Sequence, residues 1–204
     1  MTRVCILDYG SGNVKSVFNL LSAVSSDVKI SNDVAEIEGA THLILPGVGA
    51  FGASMSKIVA HIPLDIVRRE VFERGKPFLG ICVGMQVLAD KGFEFGDFDG
   101  LGWIGGAVDK LESTPHPLPH IGWNSIEITR PTPLLRSFEQ NQDFYFLHSY
   151  VFRPANPADV VAETSYGQTF AAIIGRDNVF GVQFHPEKSQ KAGRILVENF
   201  LRLS

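Results

Sequence analysis

Two short runs, THLILPG at residues 41–47 and PFLGIC at residues 77–82, carry apolar side chains at nearly every position. A strand wetted on one face alternates apolar with polar residues, so runs of this kind need cover on both faces. Helical patterns lie between such runs. Asn13 to Val24 follows the strand-like RVCILDYG and places Val14, Val17, Phe18 and Leu21 at helical spacing, DVKIS is a further strand, and Pro63 to Arg74 reads as a helix. Strands separated by helices pair in parallel, which is α/β architecture. After about Trp103 the texture changes: WNSIEIT, DFYFLHSYVF, VVAETS and TFAAIIG are strand-like and separated by short turns, before NVFGVQFHPEKS and a final helix from Ala192 to Leu203 with Ile195, Leu196, Phe200 and Leu201 on one side. Arg176-Asp177-Asn178 has the form of a hairpin turn. The expected fold is a mostly parallel sheet flanked by helices, with antiparallel strands added in the C-terminal half. A length of 204 residues at 45% hydrophobic content suits one domain, residues 1–204.

The formal net charge of -4 comes from interspersed charges with no basic cluster, so neither a nucleic-acid partner nor a polybasic membrane contact is expected. The N-terminal apolar run is too short for a signal peptide, and no stretch approaches the roughly 20 residues that cross a bilayer. A cytoplasmic protein is expected. In a reducing compartment the two cysteines, Cys5 and Cys82, need separate explanations. Cys5 lies inside a strand run and fits a small buried side chain.

Cys82 does not fit that description so easily. Gly80-Ile81-Cys82-Val83-Gly84 has the G-x-S-x-G form of a nucleophile elbow with cysteine in place of serine. Its glycines permit a sharp strand-to-helix turn that exposes the side chain at the carboxyl end of a strand. The first N–H groups of the following helix then favour the thiolate, and the Val83 N–H is placed to hold an oxyanion. A nucleophilic cysteine also needs a base and a group to orient it. GVQFHPEKS offers both. In an extended segment His185 and Glu187 share a face while Phe184 points the other way, and Pro186 biases His185 toward that extended geometry. His185 can then take the Cys82 proton and Glu187 can fix the imidazole tautomer. Two other readings stand beside this one: a zinc site, for which a full set of clustered ligands is lacking, and an ordinary strand-end histidine. His42, His61, His116, His120 and His148 lack such a partner two residues on and read as surface or structural. Gly10 and Gly12 in LDYGSGN imitate a dinucleotide fingerprint, but Lys15 stands where its third glycine belongs, so a tight strand-helix turn with Asn13 near the helix start is the better reading.

GICVGMQ together with the distant FHPE resembles the signature of the class I glutamine amidotransferases, and LDYGSGN, LPGVGAF, PHIGWN, YFLHSY and GVQFHPEKSQ resemble, within that family, the glutaminase subunits of imidazole glycerol phosphate synthases. The resemblance covers essentially the whole chain and implies a flavodoxin-like sheet. It implies that Cys82 attacks the carboxamide of glutamine, that His185 protonates the departing ammonia and later activates water, and that Glu187 orients His185. It places the oxyanion site at Val83, Val48 and Gly49, in a loop whose glycines at 47 and 49 would permit a peptide rearrangement. It assigns substrate contacts to Gly47, Gln86, Glu94, His148, Ser149 and Tyr150, with Glu94 pairing the α-ammonium. No cofactor and no metal are implied. The implied partner is a cyclase subunit, a (β/α)8 barrel of the HisF type forming a heterodimer, which would receive ammonia and convert the ribulosyl precursor PRFAR to imidazole glycerol phosphate and AICAR. Asn13, Trp123, Asn124 and Lys188 are candidates for the docking face. Departures from the family pattern are Val83 for leucine, Pro117 for a basic residue, and Val151 for an aromatic.

Overall fold

The computed structural model describes residues 2–204. Its elements in chain order are β1 (Val4–Ile6), α1 (Val14–Ser22), β2 (Val28–Ile30), α2 (Val34–Gly39), β3 (His42–Gly47), α3 (Phe51–His61), α4 (Leu64–Phe72), β4 (Phe78–Cys82), α5 (Val83–Gln86), β5 (Lys91–Gly92), β6 (Phe98–Asp99), β7 (Gly106–Lys110), β8 (His120–Ile128), β9 (Gln142–His148), β10 (Tyr150–Pro154), β11 (Val160–Tyr166), β12 (Gln168–Arg176), β13 (Val179–Val182) and α6 (Gln190–Phe200). Nine strands form one sheet in the order β2-β1-β3-β4-β13-β12-β11-β8-β9. The first five strands in that order run parallel and the remaining pairings are antiparallel. The expected parallel sheet with antiparallel additions is therefore present.

Every residue of β3 and β4 is buried, as a strand covered on both faces requires. Helix α1 buries Val14, Val17 and Leu21, a single stripe at helical spacing. Helix α6 buries Ala192, Leu196 and Phe200, four residues apart, together with Gly193 and Val197. Of the expected face, Leu196 and Phe200 are buried, whereas Ile195 and Leu201 are only half-buried at its edges, and the helix ends at Phe200. The expected hairpin turn is also found, with Asp177 in the left-handed region between β12 and β13.

Helix α2 and the strands β5, β6 and β7 have no counterpart in the sequence reading, and two regions that frame the site differ from it as well. DFYFLHSYVF is not one strand: it breaks at Ser149, with β9 pairing β8 in the large sheet and β10 pairing β7 in a second sheet of order β10-β7-β5-β6. The residue pattern of the run gives no sign of that change of sheet. Helix α3 also escaped the sequence reading. It begins after a glycine-rich loop and contains Gly52, Ser54 and Ser56, which weaken the helical signal. Its start is held from outside, because the Phe51 N–H donates to Glu94 Oε2 at 2.8 Å.

The sheet order explains how distant motifs meet. β4 lies between β3 and β13, with Gly47 opposite Cys82 and Val182 opposite Ile81. The carboxyl ends of three adjacent parallel strands therefore deliver PGVG, Cys82 and QFHPE to one edge, where ligand sites of such sheets form.

Candidate active site

Cys82 adopts φ 54° and ψ -110°, a conformation that a side-chain-bearing residue rarely holds. The flanking glycines explain how the turn closes. A Cβ at Gly80 would lie 2.3 Å from the Gly84 carbonyl oxygen, and one at Gly84 only 1.9 Å from the Leu45 carbonyl oxygen. The elbow is thus pressed against itself and against β3. The segment beyond the elbow is shorter than expected: α5 is a single turn of four residues, not a full helix, because the chain turns away toward β5. A turn this short lacks the macrodipole of a long helix.

His185 Nδ1 lies 2.8 Å from Glu187 Oε1, and both side chains are 1% exposed. The pairing does not arise from strand alternation, as the sequence suggested. His185 is extended, but Pro186–Lys188 forms a 3-10 turn that folds Glu187 back under the ring. Proline at the first position of that turn needs no N–H and has the right φ already. The His185 backbone is clamped as well: its N–H donates to the Tyr145 carbonyl at 2.8 Å and its carbonyl accepts from Ser189 Oγ at 2.7 Å. Helix α6 packs directly onto the turn, since a Cβ at Gly193 would fall 1.9 Å from the Pro186 carbonyl oxygen.

The electrostatics of the pair are set by its seclusion and its partners. Burial alone would lower the His185 pKa, but Cys82 and Glu187 beside it outweigh that effect and raise it to about 10. Burial would raise the Glu187 pKa, yet bonds from His185 and Asn13 hold it below the usual carboxylate range. Among the described residues His185 Nε2 has no hydrogen-bond partner, so the ring edge opposite Glu187 is available for proton transfer.

A cavity opens over these groups, lined by Val48, Gly49, Cys82, Val83, Gln86, Glu94, Leu147, His148, Ser149, Tyr150 and His185. The structure thus brings together Cys82, His185, all three oxyanion candidates and five of the six expected substrate contacts. Gly47 stands just behind the wall, where a Cβ would lie 2.6 Å from both the Gly84 nitrogen and the Tyr9 hydroxyl. Glu94 is occupied in part by the start of α3, and burial raises its pKa against the opposing effect of the Phe51 N–H. Gln86 is buried and donates to the Tyr150 carbonyl at 2.9 Å. Among the described residues, no group of three or more His, Cys, Asp or Glu side chains is arranged to hold a metal ion.

The oxyanion candidates are not alike. Gly49 has φ +104°, and the Val48 N–H donates to Ser11 Oγ at 3.2 Å. Ser11 Oγ in turn donates to Asn13 Oδ1 at 2.8 Å, and Asn13 Nδ2 donates to Glu187 Oε1 at 3.0 Å. Asn13, expected on a docking face, is therefore buried beside the carboxylate, and a hydrogen-bonded chain joins the PGVG loop to Glu187. Ser11 was missed because a serine between two glycines carries no signal of its own.

The other docking candidates lie elsewhere. Trp123 is 48% exposed and stands edge-on to Tyr145, with ring centroids 6.0 Å apart, and Lys188 Nζ sits 5.6 Å above the same tyrosine. Asn124 reaches across to β11 instead and donates to the Ser165 carbonyl.

The chain resembles known proteins over nearly its whole length. The family described as glutamine amidotransferase class-I matches residues 5–203. The imidazole glycerol phosphate synthase subunit HisH of Rhodospirillum rubrum is 44% identical, with 98% of each chain covered. The subunit of the same name from Salinibacter ruber is 46% identical over 97% of this chain and 93% of its own. Among solved structures, that of PurLQS from Thermotoga maritima superposes with a TM-score of 0.77 at 21% identity, covering 98% of this chain and 97% of its own, a likeness in fold.

Proposed function

The chain belongs to the class I glutamine amidotransferases and, within them, to the HisH subunits of imidazole glycerol phosphate synthase, and from that membership we propose how its residues release ammonia from glutamine for histidine biosynthesis. As a synthase subunit it works with a partner subunit. Residues 1–204 act as one glutaminase domain, and the observation that carries the reading is the convergence of Cys82, His185 and the PGVG loop on one cavity.

The sulfur of Cys82 attacks the carboxamide carbon of glutamine. The C–O π electrons move onto oxygen, which the Val83 N–H receives. His185 hands its proton to the amide nitrogen as the C–N bond breaks, so ammonia departs and a glutamyl thioester remains. His185, now neutral, takes a proton from water, whose oxygen attacks the thioester carbon. Glutamate leaves as the C–S bond breaks and sulfur recovers the electron pair. Glu187 holds the ring tautomer throughout. Glu94 meets the α-ammonium, and Gln86 with residues 148–150 borders the substrate chain. The partner we propose is a HisF-type (β/α)8-barrel cyclase that docks near Trp123 and Lys188 and receives the ammonia.

A second oxyanion donor requires the Val48–Gly49 peptide region to rearrange, since the Val48 N–H is held by Ser11. Occupied cyclase would favour the rearranged loop by binding that state more tightly. Ser11→Ala removes the competing acceptor. Glutamate release by the isolated variant should rise several-fold above the unsubstituted chain, while added cyclase with its ribulosyl ligand gives a smaller further increase. Cyclase and ligand should strongly stimulate the unsubstituted chain. An unstimulated chain would refute the assigned partner, and an unchanged basal rate in Ser11→Ala would refute the role of Ser11.

A further inference from the structure

Gln183 is fully buried two residues before His185, and no step of the glutaminase mechanism uses it. Its side chain spans two partners: Nε2 lies 3.7 Å from Cys82 Sγ, and Oε1 lies 3.1 Å from Gln86 Nε2. An amide can be turned end for end, so its direction has to come from the network. The Tyr150 carbonyl settles it. That oxygen can only accept, and it has two neighbours, Gln86 Nε2 at 2.9 Å and His148 Nδ1 at 3.0 Å. Gln86 must therefore present its nitrogen, whose second hydrogen reaches Gln183. Gln183 must answer with oxygen, which leaves its nitrogen toward the sulfur.

The histidine side of the network agrees. With Nδ1 donating, the neutral His148 ring accepts at Nε2 from His120 Nδ1, 3.1 Å away. Burial keeps both rings uncharged, lowering His148 to about 3 and His120 to about 4. The Tyr150 carbonyl is thus held by two donors, and every amide between it and Cys82 is fixed in direction.

We propose that Gln183 positions and stabilises the nucleophile by donating its Nε2–H to the Cys82 sulfur. The donor supports the thiolate before attack, and again when the thioester C–S bond breaks and sulfur regains its electron pair. A hydrogen bond to a charged acceptor is stronger than one between neutral groups, and the single-turn α5 leaves more of this task to a side chain. The proposal rests on Cys82 being the nucleophile.

Two variants separate a donor from a spacer. Gln183→Glu retains an oxygen to accept from Gln86 but turns a second oxygen toward the sulfur, whereas Gln183→Met keeps the volume and removes both bonds. The rate of Cys82 alkylation by iodoacetamide would be followed from about pH 6 to about pH 9, with Cys82→Ala supplying the background from Cys5, alongside glutamate release and thermal midpoints. Gln183→Glu is expected to slow alkylation at neutral pH by about tenfold or more and displace the profile to higher pH, with kcat falling more than KM rises. Gln183→Met should shift it in the same direction by less. Two results would overturn the proposal: unchanged profiles in both variants, or a slowed Gln183→Met beside a normal Gln183→Glu, which would make Gln183 only a support for Gln86. Absence of Cys82 reactivity and of glutamate release in the unsubstituted chain would refute the nucleophile itself.

Discussion

Cys82→Ala is expected to abolish glutamate release, by at least about 10^4-fold in kcat, while leaving the thermal midpoint nearly unchanged. The side chain is small, and the hydrogen bonds of its sulfur to Gln183 Nε2 and the Leu147 carbonyl oxygen are long, 3.7 Å and 3.9 Å. Losing it removes little packing. It removes the only atom at the elbow that can form the thioester, and Cys5 cannot substitute because it is buried in β1, away from the cavity lining. Glutamine binding should survive, since Gln86, Glu94 and residues 148–150 are untouched. The paired measurement is steady-state glutamate release beside equilibrium binding of glutamine. Substantial residual turnover would contradict the assignment.

Gly84→Ala should produce the other large effect, by a different route. The added methyl would stand 1.9 Å from the Leu45 carbonyl oxygen and 2.9 Å from the Leu45 carbonyl carbon, both backbone atoms of a fully buried strand. No flexible side chain can yield. Either β3 and the elbow separate or Cys82 leaves its left-handed conformation, and each change misplaces the sulfur. Overpacking against backbone should destabilise by about 3 kcal/mol, or roughly 10 °C in Tm for a chain of this size, and activity should fall further than the unfolded fraction explains. Thermal melts and kcat on the folded protein distinguish the two losses. A variant with normal stability and activity would show that the elbow is not closed as described.

The parts of this site visible in the sequence are those whose chemistry is encoded locally. Gly80, Cys82 and Gly84 announce a turn because the steric demand falls within five residues. His185 and Glu187 were legible as a pair, although the reason was incomplete: alternation in a strand suggested the shared face, and a 3-10 turn started by Pro186 provides it. The parallel half of the sheet was legible because β3 and β4 are apolar nearly throughout. The features that stayed hidden depend on distant contacts. Helix α3 is started by Glu94, forty-three residues away, and the Gln183 amide is directed through Gln86 to the Tyr150 carbonyl. Asn13 shows the same limit. Near the start of α1 it resembles an ordinary cap, but it makes no capping bond and spends its amide on Glu187. The shift of residues 142–154 from one sheet to another at Ser149 has no local signature either.

The most direct test of the central claim is where a glutamine-mimicking diazoketone attaches. Such an analogue occupies the substrate site, gains a proton at its diazo carbon, and is attacked there by the nucleophile's sulfur as dinitrogen leaves, which forms a thioether. Peptide mass mapping after incubation with the chain and its activated partner should find one label, on the peptide containing Cys82, with glutamine protecting against it and Cys82→Ala remaining unlabelled. Glutamate release that continues while Cys82 stays unmodified, or a label carried by another residue, would contradict the claim that this sulfur opens the amide.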